Sequence, residues 1–368
     1  MAKKNVLFDL QLSSFDGHGD IKFASDSNYV FFSTMAGYVK DNYNCFVLAP
    51  EKCADEIQKD LGQEIGVFPI KYGTDYYTAR FQFDLEKVAV AVQACCPDLI
   101  WTNNPIWVPF YKAVLRKLGK DIAVLSYNHW IDLPSTRKEE KKYTLEYLQV
   151  AGTLASDGVL ANSAWGMKLI KDGVRESSGH QIEAPMFAFP PPLQAVSAPS
   201  GDLERHCIYN HRISSHPYYK DALARLEHLM LGLGMPVVFT NPSGKEPLHG
   251  FPFPARFVSW SKQQYLDSLA KAYCSVSTLI DVGAQWSMSI VESVASSVPT
   301  LVPFSYGYAE LLPKEYPLYY SDIEQGRRLL ASLLEERTDI SKYSDYVKRE
   351  YGKDGTMARF EELMRAFV

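Results

Sequence analysis

From Val6 onward the sequence alternates short runs rich in β-branched and aromatic residues with longer amphipathic stretches, a pattern that calls for parallel strands joined by crossover helices. In the first half this places strands near residues 6–12, 45–49, 66–70, 99–102, 123–127 and 159–161, with helices between them. Ser25-Asp26-Ser27 supplies capping oxygens ahead of the apolar Tyr29-Val30-Phe31-Phe32, and Asn162-Ser163 caps a helix carrying Trp165, Met167, Leu169 and Ile170. The pattern breaks at Pro190-Pro191-Pro192 and again at Ser197-Ala198-Pro199-Ser200-Gly201, as an interdomain linker does. It resumes near Arg205, with strands expected at residues 207–210, 236–240, 256–258, 274–277 and 300–303. Helices are expected at 219–232, 261–272, 287–297 and 322–336. The tail from Ile340 to Val368 reads as two helical pieces separated by Gly352-Lys353-Asp354-Gly355, long enough to return to the first half. The reading is α/β, with a Rossmann-like domain at 1–192, a linker at 193–204, a second domain at 205–345 and a returning C-terminal helix at 346–368.

A chain of 368 residues can bury two cores of ordinary size, and 46% hydrophobic against 22% charged residues is the balance of a folded soluble body. The net charge of -5 is spread without a basic patch, which argues against nucleic acid or an anionic membrane as the main partner. The opening Met-Ala-Lys-Lys runs straight into a strand pattern without the apolar core of a signal peptide, and no apolar run approaches the roughly 18 residues of a membrane span. A cytoplasmic protein is expected. Cys45, Cys53, Cys95, Cys96, Cys207 and Cys274 form no C-x-x-C pair, so reduced structural thiols are expected rather than a zinc site.

Open α/β sheets bind ligands beyond the carboxyl ends of their strands, so the strand-to-helix turns are where chemistry is sought. The most informative turn begins at Asp281-Val282-Gly283-Ala284-Gln285-Trp286-Ser287, a loop of small and polar residues that opens a helix near Ser287. Free backbone N–H groups and the helix dipole suit a diphosphate there. Glu292, a turn and a half inside, can accept two hydrogen bonds from the cis-diol of a ribose. The same residues also read as an ordinary core helix, with Val291, Val294 and Ala295 on the sheet and Glu292 in solvent.

This stretch resembles the donor-binding motif of the large retaining GT-B glycosyltransferase family, the glycosyl transferases group 1 type, in which Glu-Gly-Phe-Gly-Leu leads into Glu-Ala and then Gly-x-Pro. Trp286, Ser287, Met288, Glu292, Ser293 and Val298-Pro299 occupy the corresponding places, and Gly307-Tyr308-Ala309-Glu310-Leu311-Leu312 is similar to the family's Gly-Gly-x-x-Glu-Leu. The resemblance implies that Glu292 holds the donor ribose. The family's other glutamate, near the donor sugar, falls at Ala284, a departure that bears on sugar identity or activity; Asp281 and Gln285 are the candidate substitutes. Asn210-His211-Arg212-Ile213 resembles the Gly-Arg-Leu after the first strand of the family's second domain, which implies phosphate contacts for Arg212 and, allowing an insertion of about three residues, for Lys220. A surface ion pair is the other reading of Arg212. Val237-Val238-Phe239-Thr240-Asn241-Pro242-Ser243-Gly244 stands where the family has a strand and glycine loop, and Val258-Ser259-Trp260 where the base is recognised.

In the first half, Val124-Leu125-Ser126-Tyr127-Asn128-His129 resembles a strand whose end faces the family's cleft, which places His129 near the donor sugar; a structural histidine is the alternative. Ser156-Asp157-Gly158-Val159-Leu160-Ala161-Asn162-Ser163 resembles the family's Ala-Asp-x-Val-Ile-Ala-Asn-Ser. The loop Ser13-Ser14-Phe15-Asp16-Gly17-His18-Gly19-Asp20 stands where the family has a glycine-rich loop near phosphates and acceptor, so Gly17 and Gly19 permit close backbone approach, or simply make a flexible turn. Asp16 or Asp20 then orients an acceptor hydroxyl. The resemblance spans most of the chain, thinly over the first 95 residues, and makes it a divergent member.

The implied architecture is α/β of the GT-B type, two facing Rossmann-like domains with a central cleft. The implied activity is transfer of a sugar from a nucleotide-diphosphate sugar to an acceptor hydroxyl with retention. No cofactor is implied beyond the donor substrate, with His129, Arg212 and Lys220 at the reacting groups and Gly17, Trp260, Ser287, Met288, Ser289, Glu292 and Glu310 around the donor. No Asp-x-Asp pair stands at an expected strand end, so a metal is not expected. Trp101, Trp107, Phe110, Tyr111, Tyr127 and Trp130 can stack sugars or bases, or pack as core. The acceptor expected is a glycan or glycoconjugate, with hydroxymethylated bases in DNA as an alternative that the acidic charge disfavours. A nucleotide-sugar epimerase and a non-catalytic sugar-nucleotide binding protein remain open, the latter through Ala284. An NAD-dependent dehydrogenase is disfavoured because no G-x-G-x-x-G follows the first strand. The oligomeric state is left open.

Overall fold

The computed structural model describes residues 2–10, 12, 23–71, 83–128, 144–196, 203–211, 217–240, 250–280 and 286–368. The chain forms two compact units, the first made of Met1–Pro192 with Lys353–Val368 and the second of Leu193–Gly352.

The first unit runs β1 (Lys4–Asp9), α1 (Ser27–Val39), β2 (Tyr43–Pro50), α2 (Ala54–Leu61), β3 (Gly66–Ile70), α3 (Leu85–Cys95) and β4 (Leu99–Thr102). It continues with α4 (Val108–Leu118), β5 (Ala123–Tyr127), α5 (Thr144–Ala155), β6 (Gly158–Ala161), α6 (Ala164–Ser178) and β7 (Met186–Ala188). Among the described residues the sheet has the order β3-β2-β1-β4-β5-β6-β7, with every pairing parallel. A parallel sheet is covered on both faces, and successive side chains of a strand are divided between them. Val6 and Phe8 join a layer with Phe32, Trp101 and Phe189, while Leu7 joins the opposite layer with Ile100, Trp107 and Val124. Helix starts are fixed by side-chain caps: Asp26 accepts from the Asn28 N–H, Asp84 from Lys87 and Ser163 from Gly166.

The second unit runs β8 (Glu204–Tyr209), α7 (Pro217–Met230), β9 (Val237–Thr240), β10 (Ala255–Val258), α8 (Lys262–Lys271) and β11 (Ala272–Val276). It ends with α9 (Met288–Ala295), β12 (Thr300–Pro303), β13 (Tyr319–Tyr320), α10 (Ile323–Glu335) and α11 (Ser341–Tyr351). The described strands pair in parallel in the order β10-β9-β8-β11-β12-β13. The strand order reverses between β8 and β11, as it does between β1 and β4, and such a switch point opens a crevice at the carboxyl ends of the strands.

The last helix, α12 (Lys353–Phe367), belongs to the first unit. Phe360 lies 6.4 Å from Phe8 and 6.5 Å from Trp101 between ring centres, completing the aromatic layer. The crossing falls at Gly352, later than the residue 346 expected from sequence, because Tyr343, Val347 and Tyr351 are buried in the second unit's core. Asp354 and Gly355 are helical rather than part of a break. Leu193, expected to open the linker, is also buried in that core, and its N–H donates to Tyr351 O at 2.6 Å. Strand β1 ends at Asp9 rather than Leu12. The edge strands β7 and β13, three and two residues long, carry too little pattern to be expected. Of the aromatic residues considered for stacking ligands, Trp101, Trp107, Tyr111 and Tyr127 are all core at 1% exposure or less, whereas Phe110 is exposed; Trp130 lies outside the described residues. Among the described residues no helix is long and apolar enough to cross a membrane.

Helix α5 packs against a 3₁₀ turn at Pro105–Trp107 through Gly152, where a Cβ would stand 1.7 Å from the Pro105 carbonyl oxygen. Backbone cannot yield there as a flexible side chain would. Gly152→Ala is therefore expected to destabilise the protein by roughly 1–3 kcal/mol or more, read as a lowered thermal unfolding midpoint against wild type.

Candidate functional site

The carboxyl end of β8, the latter part of β11 and the first residue of β12 are joined to α9 by small polar side chains. Asn210, the residue after β8, donates from Nδ2 to Ser275 Oγ at 3.1 Å, and Ser275 Oγ donates to Thr300 Oγ1 at 2.9 Å. From the helix side, Ser289 Oγ donates to Asn210 O at 2.6 Å, and Ser293 Oγ lies 3.2 Å from Asn210 Oδ1 and 2.7 Å from Ser289 O. Side chains of this size let α9 approach the strand ends closely while every hydroxyl finds a partner. Ser287 caps the helix in extended backbone, accepting from the Ile290 N–H at 3.5 Å and lying 3.0 Å from Ser289 Oγ. The first turn, at Met288 and Ser289, carries N–H groups with no intrahelical acceptor, and both residues are partly exposed. This is the geometry that receives an anion.

Glu292 lies one turn further in and is buried, with 2% of its surface exposed, so the reading that left it in solvent does not hold. Its Oε1 is paired with the Nζ of Lys262, from the first turn of α8. Burial holds the carboxyl above its ordinary range, and Lys262 pulls it part of the way back. Oε2 has no hydrogen-bond partner among the described residues. The buried Tyr265 hydroxyl is within electrostatic reach of Glu292 and Ser293 but closes no hydrogen bond of good geometry among the described residues. Burial, followed by the nearby Glu292 charge, keeps that phenol protonated.

His211 stands directly after Asn210 at the same strand end. Its Nε2 lies 2.6 Å from Ser277 Oγ, its ring is parallel to that of Tyr308 at 6.1 Å, and Tyr209 meets it edge-on at 5.4 Å. Burial lowers its pKa and keeps the imidazole neutral at pH 7. Tyr308 belongs to the 3₁₀ turn Tyr306–Glu310, which begins with Tyr306 at a φ of 48° and ends with the exposed Glu310. Trp286 meets Tyr351 edge-on at 4.6 Å, and its buried Nε1 has no hydrogen-bond partner among the described residues. Neither His211 nor Lys262 stood out in the sequence; the one signal for His211 was its place beside Arg212.

Ser287, Met288, Ser289 and Glu292 thus share one helix turn region at the switch point. Trp260 packs, partly buried, against a cluster of Ile208, Val238, Leu269, Ala272 and Val298. Lys220 is exposed in the first turn of α7 and makes no ion pair among the described residues. Arg212, His129 and Gly17 lie outside the described residues, as do Asp16, Gly19, Asp20, Asp281, Ala284, Gln285 and residues 241–249. In the first unit, sequence reading passed over Asp9, a buried carboxylate at the end of β1. Tyr111 Oη donates to its Oδ2 at 2.7 Å and Thr102 Oγ1 at 3.2 Å.

The two units together match a set of solved structures over nearly the whole chain. Anabaena HepE in complex with UDP-glucose matches with a TM-score of 0.68 at 12% identity, over 98% of this chain and 99% of that one. A sucrose-phosphate synthase from Thermosynechococcus elongatus matches at 0.66 and 14% identity, over 99% of both chains. The apo form of WaaB, a lipopolysaccharide outer core galactosyltransferase, matches at 0.62 and 13% identity, over 99% of this chain and 100% of that one. The chain has the GT-B fold. No protein-family model matches the sequence, and no curated protein matches it. In GT-B terms the α9 region lies in the C-terminal unit, at the switch point of its sheet.

A neutral His211 gives the GT-B chain a pH dependence of known sign. The unfolded chain binds a proton there below about 6.5 and the native state resists it, so stability is full above that value and is lost as pH falls through it. Replacing His211 with Asn is expected to flatten the fall of the thermal unfolding midpoint between about pH 7.5 and pH 5.5, measured against wild type.

Proposed function

We propose that this protein is a glycosyltransferase that moves a sugar from a nucleotide-diphosphate sugar to an acceptor hydroxyl with retention of anomeric configuration. The observation that carries the reading is Glu292, a buried carboxylate with an unpartnered Oε2, one turn inside a helix whose first turn is built to receive an anion. A nucleotide diphosphate presents both a diol and an anion. Neighbouring structures agree in kind: HepE was solved with UDP, with UDP-glucose, and with UDP and glucose.

In this reading the diphosphate lies over the N–H groups of Met288 and Ser289, and Arg212 and Lys220 supply positive charge to the departing nucleotide. Glu292 accepts hydrogen bonds from the ribose, Trp260 borders the base, and His129 and Gly17 stand near the sugar and phosphates, with Glu310 close by. Acceptor oxygen and leaving oxygen share one face of the sugar, so no side-chain nucleophile is required. We take the reaction to proceed without a bound metal, since fixed cations and helix N–H groups do the work a metal would do for the leaving group. The acceptor is a glycan or glycoconjugate; the net charge of -5 speaks against a DNA base. The setting proposed is the cytoplasm.

Calorimetric titration with UDP, GDP and ADP, without metal, tests the donor site. One nucleotide is expected to bind selectively, and Glu292→Ala to weaken it at least tenfold, about 1.4 kcal/mol. No binding by folded wild type would remove the donor assignment, and binding without turnover of the matching nucleotide sugar would identify a non-catalytic binding protein, the reading Ala284 leaves open.

A further inference from the structure

The donor reading uses Glu292 but leaves its partner without a role. Lys262 and Glu292 are 30 residues apart in sequence and meet only through the packing of α8 on α9. The ends of the pair are unlike: the Glu292 side chain is 3% exposed and the Lys262 side chain 43%. The ammonium therefore reaches in from solvent, passing the ring of Tyr265 with Nζ 5.2 Å from its centre. It takes Oε1 and leaves Oε2 open.

A carboxylate taken out of water needs a countercharge and hydrogen bonds, or it takes up a proton. The groups around Glu292 offer one such charge. Tyr265 of α8 is a neutral phenol, and Asn210 at the end of β8 is an amide. α11 meets α9 through neutral side chains, with Ser344 Oγ donating to Ala295 O at 2.8 Å and Tyr343, Val347 and Tyr351 packed beside it. Arg337 is spent beyond the helix end, donating to Ser297 O at 3.2 Å and to Tyr273 O at 3.4 Å. Among the described residues Lys262 is the cation that Glu292 has.

We propose that Lys262 is the positioning residue of the donor site, holding Glu292 ionised and anchored through Oε1 so that Oε2 is presented to a hydroxyl of the sugar nucleotide. This rests on the reading of Glu292 as the ribose acceptor. A hydroxyl bonds a carboxylate more strongly than a carboxylic acid, because the bond to the ion is charge-assisted. Without Lys262, burial acts unopposed, and the carboxyl is protonated at a higher pH. Loss of Lys262 therefore makes donor binding fail progressively as pH falls.

The test is calorimetric titration at about pH 6, 7 and 8 with UDP-glucose, GDP-mannose and ADP-glucose, whose diphosphates are diesters and do not titrate in this range. Wild type is expected to bind one of them with little change across the range. Lys262→Met is expected to bind it at least tenfold more weakly at about pH 6 and to recover toward pH 8, with Lys262→Gln as the second uncharged variant should the first not fold. Lys262→Arg is expected to restore the flat profile, and Glu292→Gln to be weak at every pH. An uncharged variant that follows wild type at all three values, or that loses the same factor at each, overturns the proposal. If Glu292→Gln is weakened in the same experiment, the donor site itself stands. Wild type binding none of the three, or Glu292→Gln binding as wild type does, overturns the donor site and this proposal together.

Discussion

Strands whose consecutive side chains go to opposite layers set most of this structure. In β1, Val6 and Phe8 face the layer that holds Phe32 and Trp101, while Leu7 faces the one that holds Ile100 and Trp107. In β8, Cys207 and Tyr209 face one layer and Ile208 the other. With both faces apolar, helices must cover both, and the chain must cross over after every strand. The first unit recruits α12 from the far end of the chain for this purpose, with Phe360 inserted beside Phe8 and Trp101.

Because the faces are committed to apolar packing, polar chemistry collects at the strand ends. In the second unit the switch point between β8 and β11 is lined by Asn210, Ser275, Ser277 and Thr300, and α9 returns serines toward them. Each of these groups is neutral, and among the described residues Glu292 and Lys262 are the ion pair beside them. A glutamate at the same helical position in solvent would bind a diol weakly, since water competes for both oxygens. Burial removes that competition and raises the cost of the charge, and Lys262 offsets part of that cost.

Much of this was legible before any coordinates. Eleven of the thirteen described strands coincide with expected runs, and the two that do not, β7 and β13, are edge strands of three and two residues. Glu292 was singled out through the resemblance of its loop and helix to the GT-B donor motif, while its burial was not legible in the sequence. The aromatic run was read less well: Trp101, Trp107, Tyr111 and Tyr127 look the same in sequence whether they stack a ligand or fill a core, and strand and helix geometry sent them to the core. Leu193 and Tyr343 were likewise assigned by local composition, whereas their burial depends on elements far along the chain.

Local pattern by itself determined the α/β class, the parallel strands and the helix caps, because each depends on residues a few positions apart. Tertiary structure alone decided that Glu292 is buried, that Lys262 meets it from another helix, that His211 is neutral against Ser277 and Tyr308, and that the chain crosses back at Gly352. Those outcomes rest on the loss of water around charged and polar groups, and that loss is set by what packs over a residue rather than by what precedes it.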